Sequence, residues 1–409
     1  MSLDIVLKDG TVETDVEPIT GAKVKFSAVR ITRQRTGIHA NVRITQGVNS
    51  LAWTILNVER ETDRTRLGNS AHKMLPDVLK QAYPKERLAA DLHEFCLALW
   101  PIYNSQFTAS LREGDPDGEV TWYCPPIVME GAGTIVFAPG GSGKSHLAQS
   151  VAVSIDSGVS NLWNPIRSAP VLYLNLERNQ KLMDMRLGRI NQALGLSGRR
   201  PLVMLDARGK SMDNIYDGAQ ASIKEYGIEV IVLDSISASG GGDLNENAPA
   251  NQMMDMLNDL CPTWLAVGHT PESNTNKLFG SVMYMNRADI GVKLTSQTVD
   301  ETLGIGLEIV KANDTKRGQK AYFAFEFNGT GLAGIQKASA EDFPELAMKS
   351  SLWESIRSVL SEKPSTVTEL VDELGIPAKT ITSELRSSGS FIRSGNVWAL
   401  QERTTRAPS

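Results

Sequence analysis

The chain has 409 residues, of which 41% are hydrophobic and 22% charged. This composition is that of an ordinary globular protein, and the length predicts two to four domains rather than one compact core. The net charge of −5 excludes a strongly basic chain, so any nucleic-acid-binding surface must be local. No apolar run reaches the length of a membrane span and the first ten residues lack the parts of a signal peptide, so we expect a cytoplasmic protein with no membrane partner. The three cysteines are far apart and predict neither disulfides nor zinc.

Residues 1–75 are predicted to form a β-rich, basic N-terminal domain. Between Ala22 and Val58 the chain carries six cations and no acid. Alternation such as Val24-Lys25-Phe26 predicts short strands with a basic outer face. That face could contact a phosphate backbone, or it could be an ordinary solvated sheet surface. Residues 76–119 are predicted to be a helical connector, with a helical pattern from Pro84 to Gly114.

The stretch from Thr134 to Gln149 carries the strongest functional motif. A β-prone apolar run leads into a glycine-rich turn, then Lys144-Ser145, then a helical pattern. Such glycines let backbone N–H groups surround phosphates, while Lys144 can reach the β- and γ-phosphates and Ser145 can bind Mg²⁺. Ala138 replaces the first glycine of the G-x-x-x-x-G-K-[ST] pattern. An ordinary glycine-rich loop is the alternative, but it leaves Lys-Ser at the helix start unexplained. The predicted nucleotide-binding residues are Pro139, Gly140, Gly141, Ser142, Gly143, Lys144, Ser145 and His146.

Residues 120–340 alternate strand and helix patterns and predict an α/β domain around the phosphate-binding loop. Its sheet should be parallel where helices intervene and antiparallel in its last hairpin. The predicted strands are Val171–Leu176, Leu202–Leu205, Val230–Leu233, Trp264–Val267, Ile290–Leu294, Gly306–Lys311 and Tyr322–Phe327. Ligands of such sheets bind at the carboxyl ends of the strands, so the residues there are the candidates for chemistry.

Four strand ends carry such residues. Asp234 could hold Mg²⁺ or cap a helix, and Glu177 could activate the attacking water or form a salt bridge. His269 could sense the γ-phosphate or be structural, and the polar loop Thr270–Leu278 after it is expected to be mobile. Lys311 could pair with local acids or reach the γ-phosphate of a neighbouring subunit, as arginine fingers do.

Residues 350–402 are predicted to form a winged helix-turn-helix, from three helical patterns and a hairpin. The second helix, Thr366–Leu374, ends at Gly375, a suitable C-cap, and Pro377 suits the start of the third. Residues 351–409 hold seven acids and seven Lys/Arg, so contact with DNA and docking to protein both stay open. The candidate DNA contacts are Lys379, Thr380, Thr382, Ser383, Arg386 and Arg393. Residues 403–409 are predicted to be a disordered tail.

The motifs in sequence order resemble one family. They are APGGSGKS, LYLNLE, IVLDS followed by GDLN, AVGHT, FGS, AD and VKANDTKRG, within roughly residues 122–330. Together they are similar to RecA-like ATPases of the RepA type, the hexameric plasmid helicases, and to their relatives in phages and mobile elements.

The resemblance implies a RecA core that hydrolyses Mg-ATP between subunits of a ring or filament acting on DNA. It gives Lys144, Ser145 and Asp234 the nucleotide and metal roles, Glu177 that of the catalytic glutamate and His269 that of the γ-phosphate sensor. DnaB-like helicases, more distant relatives, have Lys-x-Arg near the segment that corresponds to Lys311. Because Asn313 stands at the Arg position here, Lys311 with Arg317 would have to supply the cations in trans. RepA itself lacks the two flanking modules of this chain.

Two functions follow from these motifs, and two others are disfavoured. The first is an ATP-driven DNA helicase or translocase, active as a hexameric ring or filament on single-stranded DNA, with duplex contact through the winged helix. The second is an ATP-switched DNA-binding protein, such as a recombination mediator, helicase loader or initiation regulator. A small-molecule P-loop kinase is disfavoured because no lid or substrate-specific Arg pair stands out, and a GTPase because no N-K-x-D motif follows Asp234.

Overall fold

A computed structural model describes residues 3–8, 10–164, 166–240, 243–271, 277–329, 331–343, 346, 352, 356–357, 359–387 and 390–400. The chain divides into two compact units, Met1–Pro116 and Asp117–Ser409. The predicted tail, residues 403–409, lies outside the described residues, as do residues 272–276 of the loop predicted to be mobile.

The first unit is an antiparallel meander of five strands with helices packed on one face. The strands are β1 (Val6–Lys8), β2 (Thr11–Ile19), β3 (Ala22–Gln34), β4 (Gly37–Gln46) and β5 (Asn49–Asn57), hydrogen-bonded in chain order. The helices are α1 (Glu61–Met74), α2 (Asp77–Ala82) and α3 (Lys85–Asn104). The predicted alternation is confirmed: Val24, Phe26, Val42 and Ile44 are fully buried and share one core with the helices.

Helix α3 is shorter than its sequence pattern predicts. The helical prediction from Pro84 to Gly114 is wrong beyond Asn104, because residues 105–114 carry no helix. The large apolar side chains of that stretch, Phe107 and Leu111, are 65% and 104% exposed. Most helices in proteins are stabilised by burying an apolar face, and these two side chains stay mostly in solvent.

The second unit is built on a nine-stranded sheet. Its strands run β10-β9-β11-β12-β8-β13-β14-β15-β16 across the sheet. They are β8 (Gly133–Ala138), β9 (Val171–Asn175), β10 (Val203–Asp206), β11 (Val230–Asp234), β12 (Trp264–His269), β13 (Ile290–Val299), β14 (Thr302–Ala312), β15 (Lys320–Asn328) and β16 (Gly331–Ala338); a small ribbon of β6 (Trp122–Cys124) and β7 (Val128–Met129) precedes them. The pairs from β10 to β13 are parallel, whereas β13 to β16 form three antiparallel pairs. The mixed, mainly parallel α/β sheet is confirmed.

Helices cover both faces of this sheet. They are α4 (Lys144–Ser157), α5 (Gln180–Ala193), α6 (Met212–Tyr226), α7 (Ile236–Ser239), α8 (Asn247–Leu260) and α9 (Val282–Arg287). Every residue of β8 is buried, and successive side chains enter opposite cores: Val136 packs with α4, and Phe137 packs on the other face with α6 and α8. A strand buried on both faces is the central element of such sheets, so the loop after β8 is held firmly.

The C-terminal region contains short elements around a small core. They are β17 (Ser365–Thr366), α10 (Val367–Leu374), α11 (Ala378–Ser387), β18 (Phe391–Ser394) and β19 (Val397–Leu400), and residues 359–362 are also helical. Thr366 and Glu369 form a capping box at the start of α10, and Gly375 ends it in the left-handed conformation with a φ of 66°. The strands pair in the order β17-β19-β18. Assignment of these elements to a winged helix stays a prediction.

Among the described helices none is both long and apolar enough to cross a membrane. Cys96, Cys124 and Cys261 are buried free thiols. Burial keeps a thiol protonated: it raises the pKa of Cys96 to about 12, and the positive charge of Arg64 opposes the shift only in part.

Candidate nucleotide-binding site

A cavity of about 470 Å³ lies at the carboxyl ends of β8, β9, β11 and β12. This is the edge at which parallel α/β sheets bind ligands. Most of the residues predicted from sequence are there, together with others from α5 and from the β13–β14 connection. The lining comprises Gly141, Ser142, Gly143, Lys144, Ser145, His146, Glu177, Arg178, Arg186, Asp234, Val267, His269, Thr298, Asp300, Glu301, Leu303 and Phe327.

The glycine-rich loop joins β8 to the first turn of α4. Gly141 and Gly143 adopt left-handed conformations, with φ of 75° and 88°. A Cβ at Gly143 would also stand 2.7 Å from Ile305 and 2.8 Å from Leu303, so glycine is required there on two counts. Helix α4 begins immediately afterwards, at Lys144. Its free N–H groups therefore point into the cavity, where an anion would be stabilised.

The Lys144 ammonium is held at the base of this loop. Nζ donates to the carbonyl of Ala138 at 2.8 Å and to that of Pro139 at 2.6 Å. An ammonium has three donors, so a further one can reach a phosphate oxygen. Burial lowers the pKa of Lys144 to about 8, and the negative charges of Glu177 and Asp234 oppose the shift. The cation is therefore present at neutral pH and is lost above about pH 8.

Asp234 is a buried carboxylate at the end of β11. The hydroxyl of Ser145 donates to its Oδ1 at 3.2 Å, and the hydroxyl of Tyr173 donates to its Oδ2 at 2.9 Å. Burial raises the pKa of Asp234, the charge of Glu177 adds to this, and the two hydrogen bonds oppose it. A carboxylate beside a Ser hydroxyl at a phosphate-binding loop provides the hard oxygen ligands that Mg²⁺ prefers.

Magnesium in such sites takes one or two protein ligands and completes its coordination with phosphate oxygens and water. Within the described part of the chain, no group of three or more His, Cys, Asp or Glu residues could hold a metal ion. The pair of Ser145 and Asp234 therefore fits a magnesium ion that arrives with a nucleotide, rather than one held in an all-protein cage.

Glu177 follows β9 and faces the same cavity. Its Oε1 accepts a hydrogen bond from the hydroxyl of Ser235 and lies 3.5 Å from Nε2 of His269. The contact with His269 is the main reason that the pKa of Glu177 falls to about 2, with a smaller contribution from Ser235, while burial acts in the opposite direction. The carboxylate is therefore negatively charged at neutral pH and can orient a water molecule.

His269 is the last residue of β12, as predicted, and it links the cavity to the segment beyond. Its backbone carbonyl accepts a hydrogen bond from the N–H of Phe279 at 2.7 Å. Ser281, two residues on, accepts from the N–H of Met283 at 3.1 Å and so caps α9. The FGS segment of the family resemblance thus has a structural role in connecting β12 to α9.

Two arginines of the cavity were missed in the sequence. Arg178 follows Glu177 directly, and Arg186 lies on α5. Burial, followed by the charge of Arg178, lowers the pKa of Arg186. Its Nη1 is buried and has no hydrogen-bond partner among the described residues. A signal was present: Met183, Arg186 and Ile190 share a helical stripe, so a cation stands where an apolar residue is expected. An unsatisfied buried donor at a phosphate-binding loop fits an anionic ligand.

His146 forms part of the cavity wall beside aromatic rings. Its imidazole meets the ring of Phe327 edge-on, with centroids 5.5 Å apart. Burial lowers the pKa of His146 to about 3, and the charges of Arg186 and Arg178 add to the shift. The imidazole is thus neutral at neutral pH.

Lys311 and Arg317 are not brought to this cavity within one chain. Lys311 donates from Nζ to the carbonyls of Met285 at 2.8 Å, Asn286 at 3.2 Å and Ala288 at 2.5 Å. These carbonyls belong to the C-terminal end of α9, where a cation compensates the helix dipole. Lys311 is therefore bound to backbone carbonyls, with the charge of Asp289 nearby, and it is not among the residues that line the cavity. Arg317, six residues further along the chain, is exposed.

Comparison with known families agrees with this geometry. Residues 104–273 match the family model described as AAA domain, a match over less than half of the chain. A search of curated proteins found no match. The match supports an AAA, P-loop ATPase-like family for this part of the chain. Such a domain implies that a nucleotide binds, usually with Mg²⁺. The loop, the Ser145–Asp234 pair and the unsatisfied Nη1 of Arg186 fit such a ligand.

Proposed function

We propose that the chain is a RecA-like motor that hydrolyses Mg-ATP to move along or unwind DNA, in the replication of a phage, plasmid or other mobile element. One observation carries the proposal: Lys144, Asp234 and Glu177, which lie far apart in the sequence, line one cavity at the carboxyl edge of a parallel sheet. A phosphate-binding loop alone is enough for nucleotide binding. A charged Glu177 beside it adds the element that hydrolysis needs.

The residues of the cavity divide the work of hydrolysis. Lys144 and Arg186 would neutralise charge on the β- and γ-phosphates, and the N–H groups of the loop would hold them in place. Magnesium, held by Ser145 and Asp234, would offset further negative charge on the phosphate oxygens. Glu177, with a pKa of about 2, is a weak base in this arrangement. Its contribution is therefore to orient and polarise the water that attacks the γ-phosphate.

His269 would couple this chemistry to the rest of the molecule. Its ring is 3.5 Å from Glu177, and its carbonyl is tied to Phe279. A shift of Glu177 on hydrolysis would therefore reach the segment before α9. Lys277 lies in this segment and could contact DNA, as a mobile element of a motor would.

The proposed assembly is a homo-oligomer, a hexameric ring or a filament, in which a neighbouring subunit completes each site. Arg317 is the better candidate for a cation supplied in trans, because it is exposed. Lys311 would first have to release three carbonyls of its own chain. The proposed partner is DNA, mainly single-stranded.

The C-terminal elements support a duplex contact through a winged helix. Lys379, Ser383 and Arg386 are exposed and share one stripe of α11 at i, i+4 and i+7. Glu384, on another side of the helix, is half-buried, and burial raises its pKa. The stripe of Lys379, Ser383 and Arg386 is thus the side of α11 that is free to enter a DNA groove. Arg393 lies in the hairpin, where its Nε donates to the carbonyl of Gly395 at 2.9 Å.

The test is DNA-dependent hydrolysis and unwinding by the full chain. Single-stranded DNA should raise the ATPase rate, Lys144→Ala should abolish it, and Lys210→Ala, which removes an exposed lysine outside the cavity, should not. Electron microscopy with an ATP analogue should show a closed ring or a filament. An ATPase rate that is unchanged by DNA, together with no unwinding, rejects the motor.

A second candidate is an ATP-switched DNA-binding protein: a recombination mediator, helicase loader or initiation regulator. The observation that favours it is Lys311, a candidate trans cation that its own chain holds at α9. A site that lacks a cation supplied by a neighbouring subunit hydrolyses ATP slowly, and slow hydrolysis suits a switch more than a motor. Tight DNA binding that depends on ATP, with few turnovers and no movement along DNA, would favour this candidate.

A further inference from the structure

The open face of the N-terminal sheet carries an exposed indole at its edge. Trp53 and Ile55, both on β5, are 60% and 66% exposed. In the pairing of β4 with β5, Arg43 stands directly opposite Trp53, and Asn41 stands opposite Ile55. Residues that face each other across a strand pair project from the same face, with Cβ atoms about 5 Å apart. The indole and the guanidinium are therefore neighbours.

This face is the one that the helices leave uncovered. Along β4, Ala40, Val42 and Ile44 are buried in the core shared with α1 and α3, whereas Arg43 between them is exposed. Successive strand residues alternate between faces. Arg43 and its partner Trp53 therefore lie on the side away from the helices.

The charge on this face is uneven from one edge to the other. On the β2 side, Lys25 pairs with Glu13 at 2.7 Å and Lys23 pairs with Asp15 at 3.4 Å, so the cations there are neutralised. On the β4–β5 side, no described carboxylate lies within ion-pair distance of Arg43, and the sequence from residue 22 to residue 58 holds no acid at all. Net positive charge therefore coincides with the exposed indole.

We propose that this surface, defined as Arg43, Trp53, Ile55 and Asn41, binds single-stranded DNA. Trp53 would stack on an unpaired base, Arg43 would contact the adjacent phosphate, and Ile55 would cover a sugar. An aromatic ring accepts any base, because every base has a π-face, and a cation beside it supplies the backbone contact. A duplex has no free base face to offer. A protein partner could bind the apolar side chains of Trp53 and Ile55, but an apolar contact would leave the positive charge of Arg43 without a role.

The inference rests on the proposed function only in taking DNA as the polymer. It assigns the contact to residues of the N-terminal unit, none of which belongs to the proposed ATP site or to the C-terminal helices. Its test uses the full chain and a fluorescent oligo(dT), with affinity measured by anisotropy at several salt concentrations.

Trp53→Ala should weaken binding about ten-fold, which is typical for loss of one stacked base. Trp53→Phe should recover most of that loss, because a smaller ring still stacks. Arg43→Ala should weaken binding and reduce the slope of log K against log salt by about 1. The matched controls are Met74→Ala and Arg66→Ala, an exposed apolar residue and an exposed cation of α1, and both should bind as the wild type does.

The outcomes separate this inference from the proposed function. If the wild type binds oligo(dT) and Trp53→Ala binds equally well, the inference is rejected and the motor stands. If Trp53→Ala changes the sedimentation of the protein but not its DNA affinity, the face is a contact between copies and the inference is again rejected. If the wild type binds no DNA with or without an ATP analogue, the inference and the DNA-directed function fail together. Losses at Trp53 and Arg43 but not at the controls support the inference, even if ATP hydrolysis is never stimulated.

Discussion

The cavity and the segment from Lys311 to Arg317 are both rich in charge, yet they differ in what holds that charge. In the cavity, the charged groups Lys144, Glu177 and Asp234 face one another across strand ends. In the segment, Lys311 is turned back onto the carbonyls of α9, and Arg317 is exposed. The cations that line the cavity beside Lys144 are Arg178 and Arg186 of the same chain. Position near a strand end therefore does not by itself give a cation a role in the site. The contacts of its side chain decide whether it faces the cavity.

The largest expected effect tests the chemistry of the cavity. Glu177→Gln should lower kcat by about 10²- to 10⁴-fold, because the amide cannot polarise the attacking water as the carboxylate does. ATP affinity should change little. Steady-state hydrolysis and binding of a fluorescent ATP analogue measure the two quantities. The control is Glu301→Gln, which changes another carboxylate of the lining, and it should retain most of the activity. A Glu177→Gln enzyme with near wild-type kcat would contradict the role given to Glu177.

The second prediction compares the two sources of positive charge directly. Arg186→Ala should lower kcat by about 10- to 100-fold and reduce the preference for ATP over ADP, because one unsatisfied donor would no longer meet the phosphates. Arg317→Ala should also slow hydrolysis if a neighbour completes the site. Steady-state hydrolysis, with ATP and ADP affinities measured separately, checks both.

Mixing defective chains separates action within a chain from action between chains. Arg186→Ala mixed with Lys144→Ala should hydrolyse ATP no faster than the residual rates of the two variants predict, because each chain has a damaged cavity of its own. Arg317→Ala mixed with Lys144→Ala should regain part of the activity, since an intact cavity can then meet an intact Arg317. Recovery in the first mixture would show that Arg186 acts in trans, and its absence in the second would remove Arg317 from the site.

The third prediction uses the titration of Lys144. Its pKa is lowered to about 8 in the free protein, so above that pH the ammonium loses its proton and the attraction for phosphate weakens. Affinity for an ATP analogue should be constant below about pH 8 and then fall up to about ten-fold per pH unit. Lys144→Arg, which stays charged, should bind more weakly overall but without this fall. A flat wild-type profile to higher pH would contradict the assignment.

The parts that sequence predicted well are those fixed by local pattern. Alternation along β3 and β4, the apolar strands of the central sheet and the loop before Lys144 each follow from neighbouring residues. Glu177, Asp234 and His269 could be placed at one edge because parallel strands end together. Arg186 could not be placed so simply, because a helical cation meets the cavity only through the packing of α5 on the sheet. The sequence pattern extends helix α3 too far because it does not reveal that Phe107 and Leu111 stay mostly exposed to solvent.

The smallest expected effect concerns Lys311. Its three hydrogen bonds to the end of α9 imply that Lys311→Ala lowers the free energy of unfolding by about 1–2 kcal/mol. The midpoint temperature of thermal unfolding should fall by a few degrees. Lys316→Ala, which removes an exposed cation of the same segment, is the control and should leave both stability and kcat unchanged. If Lys311 has only this structural role, kcat per folded molecule should be the same in Lys311→Ala as in the wild type. A loss of kcat beyond ten-fold at unchanged stability would mean that Lys311 leaves α9 during the cycle and serves a neighbouring site.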